Sequence, residues 1–186
     1  MGVKKAVIAS ALILFGITAS ASNLETIVYA QSEHNYIGAE VCGRRPCHGN
    51  PETGNQYEIW QNSAHARAYN TLSTPEALAI VAERGIENPQ QSSECLSCHT
   101  TAYGVESEFM ESGFDYTQGV QCESCHGPGN DYKNMRIMRD REQAIANGLI
   151  IPDEQTCRSC HNENSPNFEG FDYEEMLSRI QHSIPE

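Results

Sequence analysis

Eight cysteines stand in four close pairs, and a histidine follows every pair. The pairs are Cys42-Gly-Arg-Arg-Pro-Cys47-His48, Cys95-Leu-Ser-Cys98-His99, Cys122-Glu-Ser-Cys125-His126 and Cys157-Arg-Ser-Cys160-His161. No cysteine is left over. This recurrence constrains the fold more than any hydrophobic pattern does, because it ties the chain to something at four places.

Three pairs read C-x-x-C-H, the spacing of c-type haem attachment, and the first is a widened variant with four residues between its cysteines. Two thiols must reach the two vinyl groups of one porphyrin edge. The next residue must then turn its imidazole under the iron as the proximal ligand. A disulfide framework also fits an even cysteine count in an exported chain, but it gives no reason for the histidines. With seven His in 186 residues, four out of four by chance is about two in a million. A zinc ribbon needs only some of these histidines and no His directly after the second cysteine. Iron–sulfur spacings differ. The reading is therefore four covalently bound haem c groups, held by Cys42, Cys47, Cys95, Cys98, Cys122, Cys125, Cys157 and Cys160.

Composition agrees. Only 39% of residues are hydrophobic, with one Trp and five Phe, and the mean hydropathy is −0.52. Aliphatic side chains alone make a thin core for this length. Four macrocycles, about one per 40 residues, supply the missing apolar interior. The charge is −13, from 12 Lys+Arg against 25 Asp+Glu. That excludes a nucleic-acid binder with its basic stripe and simple adhesion to anionic membranes.

The N-terminus reads as a cleaved secretory signal over residues 1–21. Lys4 and Lys5 precede an apolar run (residues 6–17), and Ala19-Ser20-Ala21 is a small-x-small cleavage site. A second such site ends at Ala30. The apolar run is too short to span a bilayer comfortably, and no other segment is long enough. The expectation is a periplasmic or extracellular protein that does not span the membrane.

The remaining chain divides into an N-terminal arm, residues 22–37, and one domain, residues 38–186. The arm lacks periodicity. Residues 56–72 have helical spacing, with Tyr57, Trp60, Ala64 and Ala68 on one face. Ser73 with Glu76 predicts a capping box, with Pro75 in the first turn and Gly85 as the stop. Residues 103–120 read as a loop or short hairpin, and residues 132–147 as a charged helix ending at Gly148. Asp172 caps a last helix running to about His182. The predicted class is mostly α, with short helices and long loops wrapped around four stacked haems.

Four irons have eight axial positions. His48, His99, His126 and His161 fill four as proximal ligands. Only His65, His182 and His34 remain, so at most three haems are bis-His. The fourth is five-coordinate or takes another ligand, with Met110, Met135, Met138 and Met176 as candidates.

Several strings resemble the cytochrome c554 family. Trp60-Gln-Asn-Ser-Ala-His65-Ala resembles the helix carrying a distal His after the first haem motif. Gly119-Val-Gln-Cys122-Glu-Ser-Cys125-His126-Gly-Pro-Gly129 is similar to that family's third motif. Tyr103-Gly104 after the second motif and the C-terminal helix ending in His182 match in order, and the resemblance covers about residues 38–184. It implies a four-haem periplasmic electron carrier with closely stacked haem pairs and a five-coordinate haem at the second motif, here His99. The family carries a further distal His just past the Gly-Pro-Gly turn. Residues 130–141 contain none here, and His34 is the replacement inferred. The first motif is also longer than the family's. A related group of surface tetrahaem cytochromes polymerises into conducting filaments with ligands donated between subunits.

The expected function is electron transfer between redox partner proteins, whose docking surfaces would be basic to match this acidic chain. Two alternatives stand: a nitric oxide-type reductase acting at an open haem, and self-association as a subunit of a conducting filament. No catalytic side chain is identified, and the carrier reading is favoured over an enzyme.

Overall fold

The computed structural model describes residues 34–182. The expected signal, both cleavage sites and residues 22–33 of the arm lie outside the described residues.

The described chain is a succession of short helices joined by loops. Ten are α-helical: α1 (Ala39–Cys42), α2 (Gln56–Gln61), α3 (Ala68–Thr71), α4 (Pro75–Glu83), α5 (Ser93–His99), α6 (Cys122–His126), α7 (Met135–Met138), α8 (Arg141–Ala146), α9 (Glu154–Arg158) and α10 (Tyr173–Ser178). Five single 3-10 turns lie between them. The described residues form no strand; Tyr36 and Met110 make one isolated parallel bridge. The mostly-α expectation stands. No described helix is long and apolar enough to cross a membrane.

Local chemistry accounts for the breaks. Residues 56–72 are not one helix. Asn62 Nδ2 donates to Glu58 O and Ser63 Oγ donates to Trp60 O, so two polar side chains compete for the carbonyls of the preceding turn. The helix ends at Gln61, and a 3-10 turn (His65–Arg67) turns the chain before α3. The cap of α4 is Thr74, whose hydroxyl accepts from Ala77 N–H, one residue later than the predicted Ser73. Pro75 holds the first position and Gly85 follows the helix end with φ +71°. The predicted helix over 132–147 is split, because Asp140 caps α8 by accepting from the N–H of Glu142 and Gln143. Asp172 caps α10 as expected, but the helix stops at Ser178.

The interior is thin and polar. The buried hydrophobic residues are Ile37, Ala39, Leu72, Val81, Tyr132 and Ala144. Beside them Gln121, Thr101 and Glu123 are all but inaccessible. These polar groups are hydrogen-bonded, as burial demands. Gln121 Oε1 accepts from Ala39 N–H at 2.7 Å, and its amide donates to Asp115 O at 2.9 Å. Thr101 Oγ1 accepts from Gln121 N–H at 2.7 Å. Glu123 accepts from three backbone N–H groups: Gly129 at 2.7 Å, Gly38 at 2.8 Å and Ile37 at 2.9 Å. The last residues of the arm are thereby stitched to the third cysteine motif. Asn130 N–H also donates to Asn35 O, and Tyr36 exchanges backbone bonds with Phe109 and Glu111.

Candidate haem-binding site

Each cysteine motif is presented by a helix or tight turn that brings its histidine back beside its first cysteine. The second motif ends α5 and the third forms α6. In the fourth, His161 N–H donates to Cys157 O at 3.0 Å. The widened first motif closes the same way, with His48 N–H donating to Cys42 O at 3.1 Å. The two extra residues are looped out, leaving Arg44, Arg45 and Pro46 exposed. Gly49 allows the return, because a Cβ there would lie 2.1 Å from Gly43 O. Thus the Cys-to-His relation survives the insertion.

All eight cysteines are free, half-buried thiols. Their contacts set the spatial order of the motifs. The Cys42 and Cys122 thiols lie close enough to shift one another's ionisation, as do those of Cys98 and Cys160. Cys125 is within electrostatic reach of Cys157. First and third motifs therefore adjoin, second and fourth adjoin, and third meets fourth. In each of these pairs one thiol is made more acidic by its partner. Cys122 is lowered, and Cys98 is pushed down to about 6, chiefly by the neighbouring Cys160 thiol, with help from Ser97 and His99. The partners Cys42 and Cys160 are raised. Thiolate is the nucleophilic form, which suits sulfur addition to a vinyl group.

Histidine geometry discriminates further. His65 and His161 have ring centroids 6.0 Å apart at 64°, and so do His126 and His182. An iron held about 2.0 Å from one nitrogen of each ring requires centroids about 6 Å apart. Each pair joins one motif histidine to one spare histidine, at a spacing that an iron between the two rings would require. Among the described residues no three of His, Cys, Asp and Glu group as a site for a lone metal ion, which is what a zinc site would need.

The second ring nitrogen is engaged in five of the seven histidines. Nδ1 of His99 lies 2.8 Å from Ala68 O, that of His126 3.2 Å from Ile150 O, and that of His182 3.0 Å from Ile180 O. His48 Nδ1 is 3.3 Å from Gln56 Oε1, and His34 Nδ1 is 2.6 Å from Asp131 Oδ2. Metal-bound imidazoles have this arrangement, since the outer partner fixes the tautomer and leaves Nε2 for the metal. Burial pushes the pKa of His65, His126 and His161 down, keeping them in the neutral, ligating form. His161 is additionally stacked on Phe171 at 4.9 Å.

His65 reaches the fourth motif although it lies nearer the first in sequence. Trp60 Nε1 donates to Val120 O at 2.8 Å and Val120 N–H donates to His65 O at 3.0 Å. Gly119 makes this approach possible: at φ +78°, a Cβ would stand 2.5 Å from His65 O. His34 lies beside Asp131, two residues past Gly129, the segment where the resemblance expected a histidine that this chain lacks. His48 and His99 are not in ring contact with another imidazole among the described residues. Of the spare methionines, Met135 is exposed. Sequence reasoning passed over Glu123 and Asp131. A buried carboxylate inside a cysteine motif and an acid at the expected ligand position carry no local signature of their role.

These residues suit haem c: paired thiols, an imidazole returned beside them, and two facing imidazole pairs. Comparison with known proteins points the same way. The family described as "Cytochrome c554 and c-prime" matches residues 41–127. The chain is similar to cytochrome c-554 of Nitrosomonas europaea, with 27% identity over 142 residues. That match covers 67% of this chain and 59% of the relative, so the chain spans a little over half of that relative's length. No solved structure gives a significant match. The family match, which takes in a little under half of the chain, and the named relative both place the chain's similarity with the cytochrome c554 family.

Proposed function

We propose that the chain is an exported cytochrome with four covalent haem c groups that passes single electrons between redox partner proteins. Haem c supplies the reversible Fe(III)/Fe(II) couple. The residues of the chain attach it, ligate it and exclude water. The observation that carries this reading is the pair of imidazole couples at 6.0 Å, each joining a motif histidine to a spare one. Two imidazoles occupying both axial positions favour outer-sphere electron transfer over substrate binding. Contact between first and third and between second and fourth motifs supports two haem pairs close enough for fast exchange. The large acid excess steers the carrier toward partners with basic surfaces.

His34 is assigned to the iron of the first motif. With His65 facing His161 and His182 facing His126, His48 and His99 are the proximal residues still to be matched. The contact of His34 with Asp131 in the same chain supports ligation within one subunit rather than across a filament joint. The choice of His48 over His99 rests on the resemblance, which implies that the haem of the second motif, at His99, would be five-coordinate. A second reading, reduction of nitric oxide or a similar small nitrogen compound, rests on that open position.

Pyridine haemochrome assay and intact mass should both report four haems. A count of three would mean that the Cys42–Cys47 site is unused. Electron paramagnetic resonance should show three low-spin centres and one high-spin centre. Catalytic turnover of nitric oxide at the high-spin centre would favour the enzyme; binding without turnover would favour the carrier.

A further inference from the structure

In a chain with 25 acidic residues, four of the 12 cationic ones fall within nine consecutive positions: Lys133, Arg136, Arg139 and Arg141. All four are exposed. The single acid among the nine, Asp140, is occupied with the N–H groups at the start of α8. Elsewhere Arg84, Arg158 and Arg179 each pair with a glutamate, while Arg44, Arg45 and Arg67 are in no ion pair among the described residues. None of the four cations in this segment forms an ion pair with a carboxylate among the described residues; Lys133 donates to Asn130 Oδ1 and lies within electrostatic reach of Glu123.

The segment is also anchored at the third motif. At its start, Tyr132 Oη donates to Gly127 O at 2.7 Å and to His126 O at 3.1 Å. At its end, Ile150 N–H donates to His126 O at 2.9 Å, while Ile150 O faces His126 Nδ1. Residues 132–150 thus form a flap, with α7 packed on α8, whose two ends close on the backbone of an iron-binding histidine. Nine residues of mostly helical chain span about 14 Å, so the four charges act together within one or two Debye lengths.

We propose that this flap is a docking face for an acidic redox partner protein, delivering it against the haem of the third motif. The proposal rests on the electron-carrier reading. It gives the molecule two faces of opposite sign: an acidic body suited to a basic partner, and a basic flap suited to an acidic one. A single carrier can then discriminate donor from acceptor by charge, because local charge governs encounter once partners approach within a Debye length.

The test uses the full haem-loaded protein and two outer-sphere oxidants of opposite charge, ferricyanide and tris(phenanthroline)cobalt(III). Each takes one electron from the reduced protein, and no bond forms or breaks beyond that transfer. In stopped flow at about 10 mM salt, the double variant R136E/R139E should react with ferricyanide at least about tenfold more slowly than wild type. It should react faster with the cobalt cation. Both differences should vanish near 1 M salt, where the Debye length is about 3 Å. The neutral double variant R136Q/R139Q should fall between and serves if the reversed one does not load haem. Unchanged rates with either haem-loaded variant at low salt would overturn the proposal alone, and would be the outcome if haem propionates already neutralise these arginines. A wild-type protein that takes up no haem would overturn the carrier reading and the proposal with it.

Discussion

Replacing Glu123 by alanine tests whether a buried carboxylate, rather than apolar packing, holds the arm to the third motif. Glu123 is 2% exposed and accepts from the N–H groups of Ile37, Gly38 and Gly129. All three donors are themselves buried. A buried N–H left without an acceptor costs about 1–3 kcal/mol, so the gross loss is about 3–9 kcal/mol. Two effects reduce it. Water can enter the space left behind and take some of the bonds. The removed carboxylate also no longer bears its own desolvation, which outweighs its backbone bonds and raises its pKa. A net loss of about 3–5 kcal/mol remains, of the size seen when one side of a buried charged contact is removed. Glu123→Gln keeps one acceptor oxygen but turns an amide NH2 toward a backbone donor, and should lose about 1–3 kcal/mol. The assay is urea unfolding of the haem-loaded protein followed by Soret absorbance, with limited proteolysis reporting arm release. If Glu123→Ala unfolds within about 1 kcal/mol of wild type and its arm stays protected, the hub is not what holds the arm and the reasoning is wrong.

His65→Ala should convert one low-spin haem to high spin and raise its potential, because loss of a donor imidazole destabilises Fe(III); the affected centre should be that of the fourth motif, and an unchanged low-spin signal would return His65 to a surface role. Gly119→Ala forces a side chain into a backbone conformation that costs about 1–3 kcal/mol and drives its Cβ into His65 O, so thermal unfolding should come earlier and the same low-spin centre should be perturbed; a normal spectrum and midpoint would contradict the close approach. Asp153 caps α9, the helix bearing the fourth motif, and its carboxyl is held below the ordinary aspartate value, chiefly by the Thr156 N–H and also by the Thr156 hydroxyl. A depressed carboxyl contributes stability that is present above the unfolded value and lost as pH falls through the folded one. Urea midpoints of wild type and Asp153→Ala should therefore differ at neutral pH and converge below about pH 3.9; a difference that persists in acid would assign the effect to something other than the charged cap.

What was legible from sequence was what neighbouring residues decide among themselves. Each cysteine pair with its histidine lies within five to seven residues, and the return of the histidine beside its first cysteine is likewise local. Asp172 caps a helix with a bond to a residue three positions on, and Gly85 ends one by its own backbone freedom, so both could be read locally. The mostly-α class followed from the same short signals, as did the thin core from the shortage of aliphatic residues. The break at Asn62 and Ser63 was local too, but helical periodicity masks two polar side chains that turn back on their own carbonyls. Everything that depends on separation along the chain needed the tertiary structure. His65 faces His161 across 96 positions because Trp60 and Gly119 bind its segment to the strand of chain before the third motif. Motif order in sequence is one to four; in space the third lies between the first and the fourth, since thiol contacts and the Glu123 hub bring distant segments together. His34 could be counted as a spare ligand, but its position beside Asp131 depends on an arm whose sequence has no periodicity and whose place is set by hydrogen bonds to backbone, which no side-chain pattern records.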